Sequence, residues 1–275
     1  MKKILLVFDS HHYPQSLLDF VVNLHQLKPL SLTAVFLSPM DFSALWAFPI
    51  VPGSAGPYIA GQDDVALDEK KMHEHIQRFE ATCLKNDITF RVHNDTSGLV
   101  FEEIKKESRF ADLMLISSEH FYNVFGDQPN EYMKEVIHTS ECAVLLLPDS
   151  FVFPKRLLLA YDGSASAVFA IKQFAYLLPE LSNLDTTLVY GSEKDTELPD
   201  QVLAEEICLR HFGSLKLQRL YIKSASELAE WLQQQAGSLV VTGSFGRSAI
   251  SQLFKKSMLT ELIRSQKLPL FIAHK

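Results

Sequence analysis

The chain carries the same pattern of short apolar segments twice. Leu113–His120 aligns with Leu239–Gly246 at an offset of 126 positions (239 − 113), and at that offset Ala143–Leu147 falls on Pro269–Ala273 without a gap. Apolar runs of this length, separated by longer amphipathic stretches, are typical of parallel strands that are covered by helices on both faces. The repeat therefore predicts two tandem α/β units, each an open five-stranded parallel sheet with helices on both faces.

The two copies differ in length near their starts. Asp9 and Asp162 each follow an apolar run and stand 153 positions apart (162 − 9), so the first copy has 27 more residues than the second (153 − 126). The proline- and glycine-rich segment 39–64 is the expected insert, because its composition breaks regular structure. We predict domains at residues 1–149 and 155–275. The short linker between the two copies is Pro148–Lys155, which overlaps the domain ends and contains Pro148 and Pro154.

Each copy contains five segments with the length and composition of a strand. In the first copy the predicted strands are Lys3–Phe8, Leu32–Leu37, Ile88–Val92, Leu113–Ile116 and Ala143–Leu147. In the second copy they are Arg156–Tyr161, Thr186–Tyr190, Lys216–Ile222, Ser238–Thr242 and Leu270–His274. Between the second set, helices are predicted at Ala165–Leu178, Asp200–His211, Ser226–Gln235 and Ser257–Ser265.

The composition argues against a nucleic-acid surface and a membrane span. The chain has 33 acidic and 26 basic residues and a formal net charge of −7, whereas binding to a nucleic-acid backbone needs clustered Lys and Arg. Cys83, Cys142 and Cys208 lack the paired spacing of a disulfide framework or a zinc site. The first apolar run ends at Asp9, which is too early for a signal peptide, and no run is long enough for a transmembrane helix. We therefore expect a cytoplasmic protein.

A glycine-spaced loop follows one of the strands in the second copy. The strand predicted at Ser238–Thr242 runs into Gly243 and Gly246, and Ser257 can begin the next helix. Glycines let backbone N–H groups approach an anion, and a helix start adds further unpaired donors. Asp162 lies at another strand end, and open sheets of this type bind ligands at the carboxyl ends of their strands. These residues are therefore candidates for one ligand crevice.

In these residues the chain resembles the universal stress protein family, in its tandem form with two copies in one chain. The nucleotide-binding members carry Gly, two residues, Gly, nine residues, and then Gly followed by Ser or Thr. Here the four positions are Gly243, Gly246, Lys256 and Ser257, so three of the four match. Lys256 stands where the motif has glycine. Its side chain either blocks the close approach of the backbone to a phosphate or pairs with the phosphate in place of that contact.

The resemblance implies a Rossmann-like fold and an adenine-nucleotide site in the second copy. In the family, the aspartate after the first strand contacts the adenosine part of the nucleotide, and Asp162 occupies that place. The loop and the later serine hold ribose and phosphates, which by position are Gly243, Gly246, Arg247 and Ser257. The implied ligands are ATP, ADP or AMP, with Mg²⁺ accompanying the nucleotide. The implied role is a nucleotide-binding stress-response protein.

The first copy departs further from the motif. Ser117 and His120 stand at the two leading glycine positions, and Glu131 aligns with Ser257. A carboxylate at that position would repel a phosphate, so we expect the first copy to lack a working nucleotide site. Because family members commonly associate through their last strands, we expect it to pack against the second copy as a pseudo-dimer.

Other interpretations of the same residues remain open from sequence. Asp162 at a strand end is also a common turn residue, and Ser164 and Ser166 favour helix capping over nucleophilic catalysis. No general base or carboxylate pair accompanies the loop, so we expect a sensor or regulator with at most slow ATP hydrolysis. The segment Asp162–Ser166 also lacks the Ser-Gly-Gly-x-Asp-Ser loop of pyrophosphatase-type ligases.

The alternative function is a stress or interaction protein that binds no nucleotide. The insert is rich in large apolar side chains, which either form a surface for a protein partner or fold back over the sheet. These residues are Phe42, Trp46, Phe48, Ile50 and Tyr58. A homodimer or another protein partner is compatible with both functions.

Overall fold

The computed structural model describes most of the chain. The described residues are 1–9, 13–37, 62–94, 100–117, 136–192, 197–243, 261–263, 265 and 267–273. Within them, the strands are β1 (Lys2–Asp9), β2 (Leu30–Leu37), β3 (Thr89–Asn94), β4 (Leu113–Ser117), β5 (Ala143–Leu147), β6 (Arg156–Tyr161), β7 (Asp185–Ser192), β8 (Leu215–Tyr221), β9 (Ser238–Gly243) and β10 (Leu270–Ala273).

The helices connect these strands and cover the sheet. They are α1 (Gln15–Leu27), α2 (Gln62–Lys85), α3 (Val100–Arg109), α4 (Ala165–Leu177), α5 (Gln201–His211) and α6 (Ala225–Gln233). A 3-10 turn, Pro179–Leu181, follows α4. None of the described helices combines the length and the apolar composition that crossing a bilayer requires.

The described strands form a single ten-stranded sheet. Their order is β3-β2-β1-β4-β5-β10-β9-β6-β7-β8, so the second half repeats the strand order of the first half in mirror image. Neighbouring strands within each half are parallel. The last strands of the two halves, β5 and β10, are antiparallel to each other. The expected α/β class and the pairing of the last strands agree with this topology.

The hydrophobic core continues across the junction between the halves. Leu145 pairs with Phe271 on one face of the sheet, and Leu146 pairs with Leu270 on the other. All four side chains are fully or almost fully buried, because successive side chains of a strand point to opposite faces and helices cover both. Each of the two apolar clusters therefore contains residues from both halves.

The sequence predicted all ten strands, with small errors at their ends. The β5 and β6 limits are as predicted, whereas β2 begins two residues earlier and β7 extends further in both directions. The last three residues of the predicted insert 39–64 are helical, because α2 begins at Gln62. Residues 39–61 lie outside the described part of the chain, and the domain limits 1–149 and 155–275 stay a prediction.

An ion-pair cluster joins the two halves at the amino end of β1. The ammonium of Lys2 donates to Glu180 Oε2 at 2.6 Å, and Lys28 Nζ lies 3.5 Å from Glu180 Oε1. The Glu180 side chain is only 9% exposed. Burial acts to raise the pKa of Glu180, but the hydrogen bond from Lys2 and the two ammonium charges outweigh it and lower the pKa below its ordinary value.

We expect Glu180→Ala to lower the free energy of unfolding by about 1–3 kcal/mol, because it leaves Lys2 without its partly buried partner. Urea unfolding followed by circular dichroism measures this loss. Glu206→Ala is the matched control, since Glu206 pairs with Arg210 on an exposed helix face; it should cost no more than about 0.5 kcal/mol. Equal losses for the two variants would contradict the importance of the buried pair.

The same carboxylate should make stability depend on pH. Its pKa is lowered on folding, so the ionised form stabilises the folded state above the unfolded pKa, and this contribution disappears as pH falls through the folded pKa. We therefore expect the stability difference between the wild type and Glu180→Gln to be largest at neutral pH and to shrink below the ordinary value of 4.5. A difference that grows on acidification would contradict this assignment.

Candidate functional site

The turn between β6 and α4 is built around Asp162. Its Oδ1 atom accepts a hydrogen bond from the Ser164 backbone N–H at 3.0 Å, so the carboxylate closes a turn of its own. Gly163 has a φ of +79°, a left-handed conformation that glycine adopts without strain. A Cβ on Gly163 would also lie 2.8 Å from Pro199 Cβ. Ser164 then caps α4 by accepting from the Ala167 N–H at 3.2 Å.

Gly243 ends β9 where the first turn of α4 lies against the sheet. A Cβ at this position would lie 2.5 Å from Ser166 Oγ and 2.6 Å from the carbonyl carbon and oxygen of Ser166. Absence of a side chain at Gly243 therefore allows α4 to approach the strand. This packing role is independent of any ligand, and it was not visible in the sequence.

Asp162 and Gly243 lie at the same edge of the sheet. β6 and β9 are parallel neighbours with Leu159 opposite Val241, so both strands end at their carboxyl side together. β6 lies between β9 and β7 in the sheet, so the chain leaves β6 toward β7 on one side and later returns to β9 on the other side. Such a reversal of strand order opens a crevice at the carboxyl ends of the strands. The structure thus brings together two of the six residues that the sequence predicted for the site.

The segment before α5 packs against the residues at this edge of the sheet. Tyr161 donates its hydroxyl to the Pro199 carbonyl at 2.9 Å. Burial raises the pKa of Tyr161, and the negative charges of Asp200 and Asp162 raise it further, so the phenol stays neutral. The helix predicted at Asp200–His211 begins one residue later, at Gln201, with Asp200 as its N-cap. No sequence pattern indicated the contacts of Pro199 with Tyr161 and Gly163, because these residues are distant along the chain.

The remaining predicted ligand residues lie outside the described part of the chain. These are Gly246, Arg247, Lys256 and Ser257. Of the helix predicted at Ser257–Ser265, residues 261–263 and 265 are helical, and Leu262 and Ile263 are buried as its predicted apolar face. His120 and Glu131 of the first copy are also outside, as is the aromatic part of the insert.

The first copy uses the position equivalent to Gly243 differently. Ser117 ends β4, is 3% exposed, and donates its hydroxyl to the Asp149 carboxylate. Asp149 lies two residues after β5, at the start of the linker. A side chain is therefore accommodated here, where it ties the end of one strand to the linker. Asp9 is the last residue of β1, and the prediction that the first copy binds no nucleotide stays a prediction.

The serines near the site have structural roles. Ser164 is the N-cap of α4, as predicted, but the prediction that Ser166 also caps the helix was wrong, because Ser166 lies inside the first turn. Among the described residues, His, Cys, Asp and Glu form no group of three that could hold a metal ion. The described part of this edge thus supplies a carboxylate, a tightly packed glycine and a capped helix start.

Comparisons with known proteins support the fold. The sequence matches no protein-family model, and no curated protein is significantly similar to it. A universal stress protein from Archaeoglobus fulgidus DSM 4304 aligns with a TM-score of 0.68 and 16% identity, over 99% of this chain and 96% of that one. A functionally unknown protein from Pseudomonas aeruginosa PAO1 aligns with a TM-score of 0.51 and 12% identity, over 100% and 92%. At these identities the likeness shows the fold.

We expect Gly243→Ala to lower the free energy of unfolding by about 1–3 kcal/mol, because the new Cβ must push the backbone of Ser166 and α4 away. Gly213→Ala is the matched control, since its Cβ would lie 3.1 Å from the end of the Asn183 side chain and at an ordinary contact distance of 3.8 Å from the Asn183 Cα. Thermal unfolding of both variants measures the difference. A Gly243→Ala protein as stable as Gly213→Ala would contradict the close approach of α4.

Proposed function

We propose that this protein, which has the fold of the universal stress proteins, binds an adenine nucleotide in its second half and acts as a sensor or regulator. The observation that supports this most directly is the meeting of Asp162 and Gly243 at one carboxyl edge. We propose that ATP, ADP or AMP occupies the crevice there, in a cytoplasmic protein that serves a stress response.

The turn role of Asp162 is compatible with a ligand role. An ionised carboxylate has about four acceptor sites on its two oxygens, so a bond from the Ser164 N–H and bonds from adenosine can coexist. The turn bond also fixes the direction of the carboxylate before a ligand arrives. Such preorganisation lowers the entropy that binding must remove.

The proposed phosphate contacts follow Gly243 along the chain. β9 delivers the backbone into the loop that carries Gly246 and Arg247, and Lys256 and Ser257 come before the helical residues 261–263. We propose that the loop N–H groups, the Ser257 hydroxyl and the Arg247 and Lys256 cations hold the ribose and phosphates, with Mg²⁺ accompanying the nucleotide. Without an assigned general base, hydrolysis is expected to be slow at most.

The packing of α4 connects this edge to the junction between the halves. Gly243 lies against the first turn of α4 at Ser166, and Phe174, about two turns further along, contacts Phe271 of β10 edge-to-face with ring centroids 5.2 Å apart. β10 in turn pairs with β5 of the first half. We propose that nucleotide occupancy shifts α4 and thereby changes how the two halves or a partner pack.

Titration calorimetry of the purified protein with ATP, ADP and AMP tests the proposal. We expect binding in the micromolar to low-millimolar range, and we expect Asp162→Ala to weaken it at least about tenfold, the equivalent of about 1.4 kcal/mol. Asp162→Asn keeps a turn acceptor, so it separates loss of the ligand contact from loss of the turn.

The matched control is Asp9→Ala, because Asp9 occupies the corresponding place in the first copy. It should leave nucleotide affinity unchanged. Equal weakening by Asp9→Ala and Asp162→Ala would contradict a site confined to the second half. If none of the three nucleotides binds at millimolar concentration, the proposal is wrong. The alternative function, an interaction protein that uses the aromatic insert as a surface for a protein partner, would then be favoured.

A further inference from the structure

A separate pocket lies in the first half, between α1 and the linker. Its volume is about 310 Å³, and its walls come from one face of α1 and from residues 149–153. This is the lower end of the size range of small-molecule sites, which is roughly 300–1,000 Å³. None of the nine residues that line it belongs to the proposed nucleotide site.

One side of the pocket is aromatic. Phe151 and Phe153 are half-buried and pack against the buried ring of Phe20, with centroid distances of 5.9 and 5.3 Å. The linker is therefore held on α1 by three phenylalanine rings. Two of these rings keep exposed area that an apolar or cationic group can cover.

The other side is polar and negatively charged. Asp19 accepts from Gln15 Nε2 at 2.8 Å, and the Asn23 amide donates to the Asp19 carbonyl at 2.7 Å, so this face of α1 is held in position. Asp149 contributes a second carboxylate from the linker. The nine lining residues that the structure describes include no Lys, Arg or His. Arg78 donates to Gln15 Oε1 and stacks over Tyr13, and it is not among the described lining residues.

From these features we propose that the pocket binds a small organic cation, namely a primary amine with an apolar body. The ammonium supplies donors to the Asp19 and Asp149 carboxylates, while the apolar body covers Phe151 and Phe153. An anion is disfavoured because both charged lining residues are acidic. A bare metal ion fits poorly, because the volume is roughly ten times the approximately 30 Å³ share of one water molecule and one wall is aromatic.

Calorimetry of the full chain with three probes of nearly equal size tests this inference. The probes are phenethylamine, 2-phenylethanol and phenylacetate, which carry a positive, a neutral and a negative polar group. We expect phenethylamine to bind at millimolar or lower concentration, and the alcohol and the acid to bind at least about fivefold more weakly, since one charge contact contributes about 1 kcal/mol.

Asp19→Asn should weaken phenethylamine binding by about fivefold, the loss of one charge contact, and leave binding of the alcohol nearly unchanged. Glu206→Gln, an exposed acidic position in the second half, should leave it unchanged. If Asp19→Asn does not fold by circular dichroism, Asp149→Asn serves the same purpose. Equal binding of the three probes, tighter binding of phenylacetate, or no phenethylamine binding at about 20 mM would each overturn the inference. Nucleotide titrations are independent of these outcomes, because the two sites share no residue.

Discussion

The antiparallel pairing of β5 with β10 is the interaction on which the rest of the structure depends. Unpaired, each strand would expose a row of backbone donors and acceptors along its edge. Paired, Leu145 meets Phe271 on one face and Leu146 meets Leu270 on the other, and both apolar clusters continue from one half into the other. The hydrogen bond between Lys2 and Glu180 adds a charged contact between the two halves at the amino end of β1. The two copies therefore share one sheet and one pair of cores.

Duplication allowed the two copies to use equivalent positions for different purposes. Gly243 ends β9 without a side chain, which lets α4 pack directly on the strand. Its counterpart Ser117 carries a hydroxyl that binds Asp149 and ties the first half to the linker. The same linker packs Phe151 and Phe153 on α1 and forms the wall of the acidic pocket. The first copy thus contacts the linker at its Gly243-equivalent position and through α1.

The candidate site shows how far residue patterns reach. Asp162 was expected at a strand end with either a turn or a ligand role, and the structure shows the turn, because the Ser164 N–H is only two residues away. The contact of Gly243 with Ser166 was missed, since it joins residues that are far apart in sequence. The same holds for Pro199 against Tyr161. Local chemistry is readable from neighbouring residues, whereas long-range contacts require the packing of whole elements.

The sequence by itself determined the number of strands and their positions along the chain. Each strand is a short apolar run bounded by polar or turn residues, and the second copy repeats the first. The sequence also determined the turn role of Asp162 and the capping role of Ser164, which involve only neighbouring residues. Only the tertiary structure decided that Gly243 must lack a side chain, that Glu180 binds Lys2, and that α1 and the linker enclose a pocket. These features arise where segments more than 70 positions apart come together (243 − 166 = 77 for the nearest pair), and no local pattern encodes such a meeting.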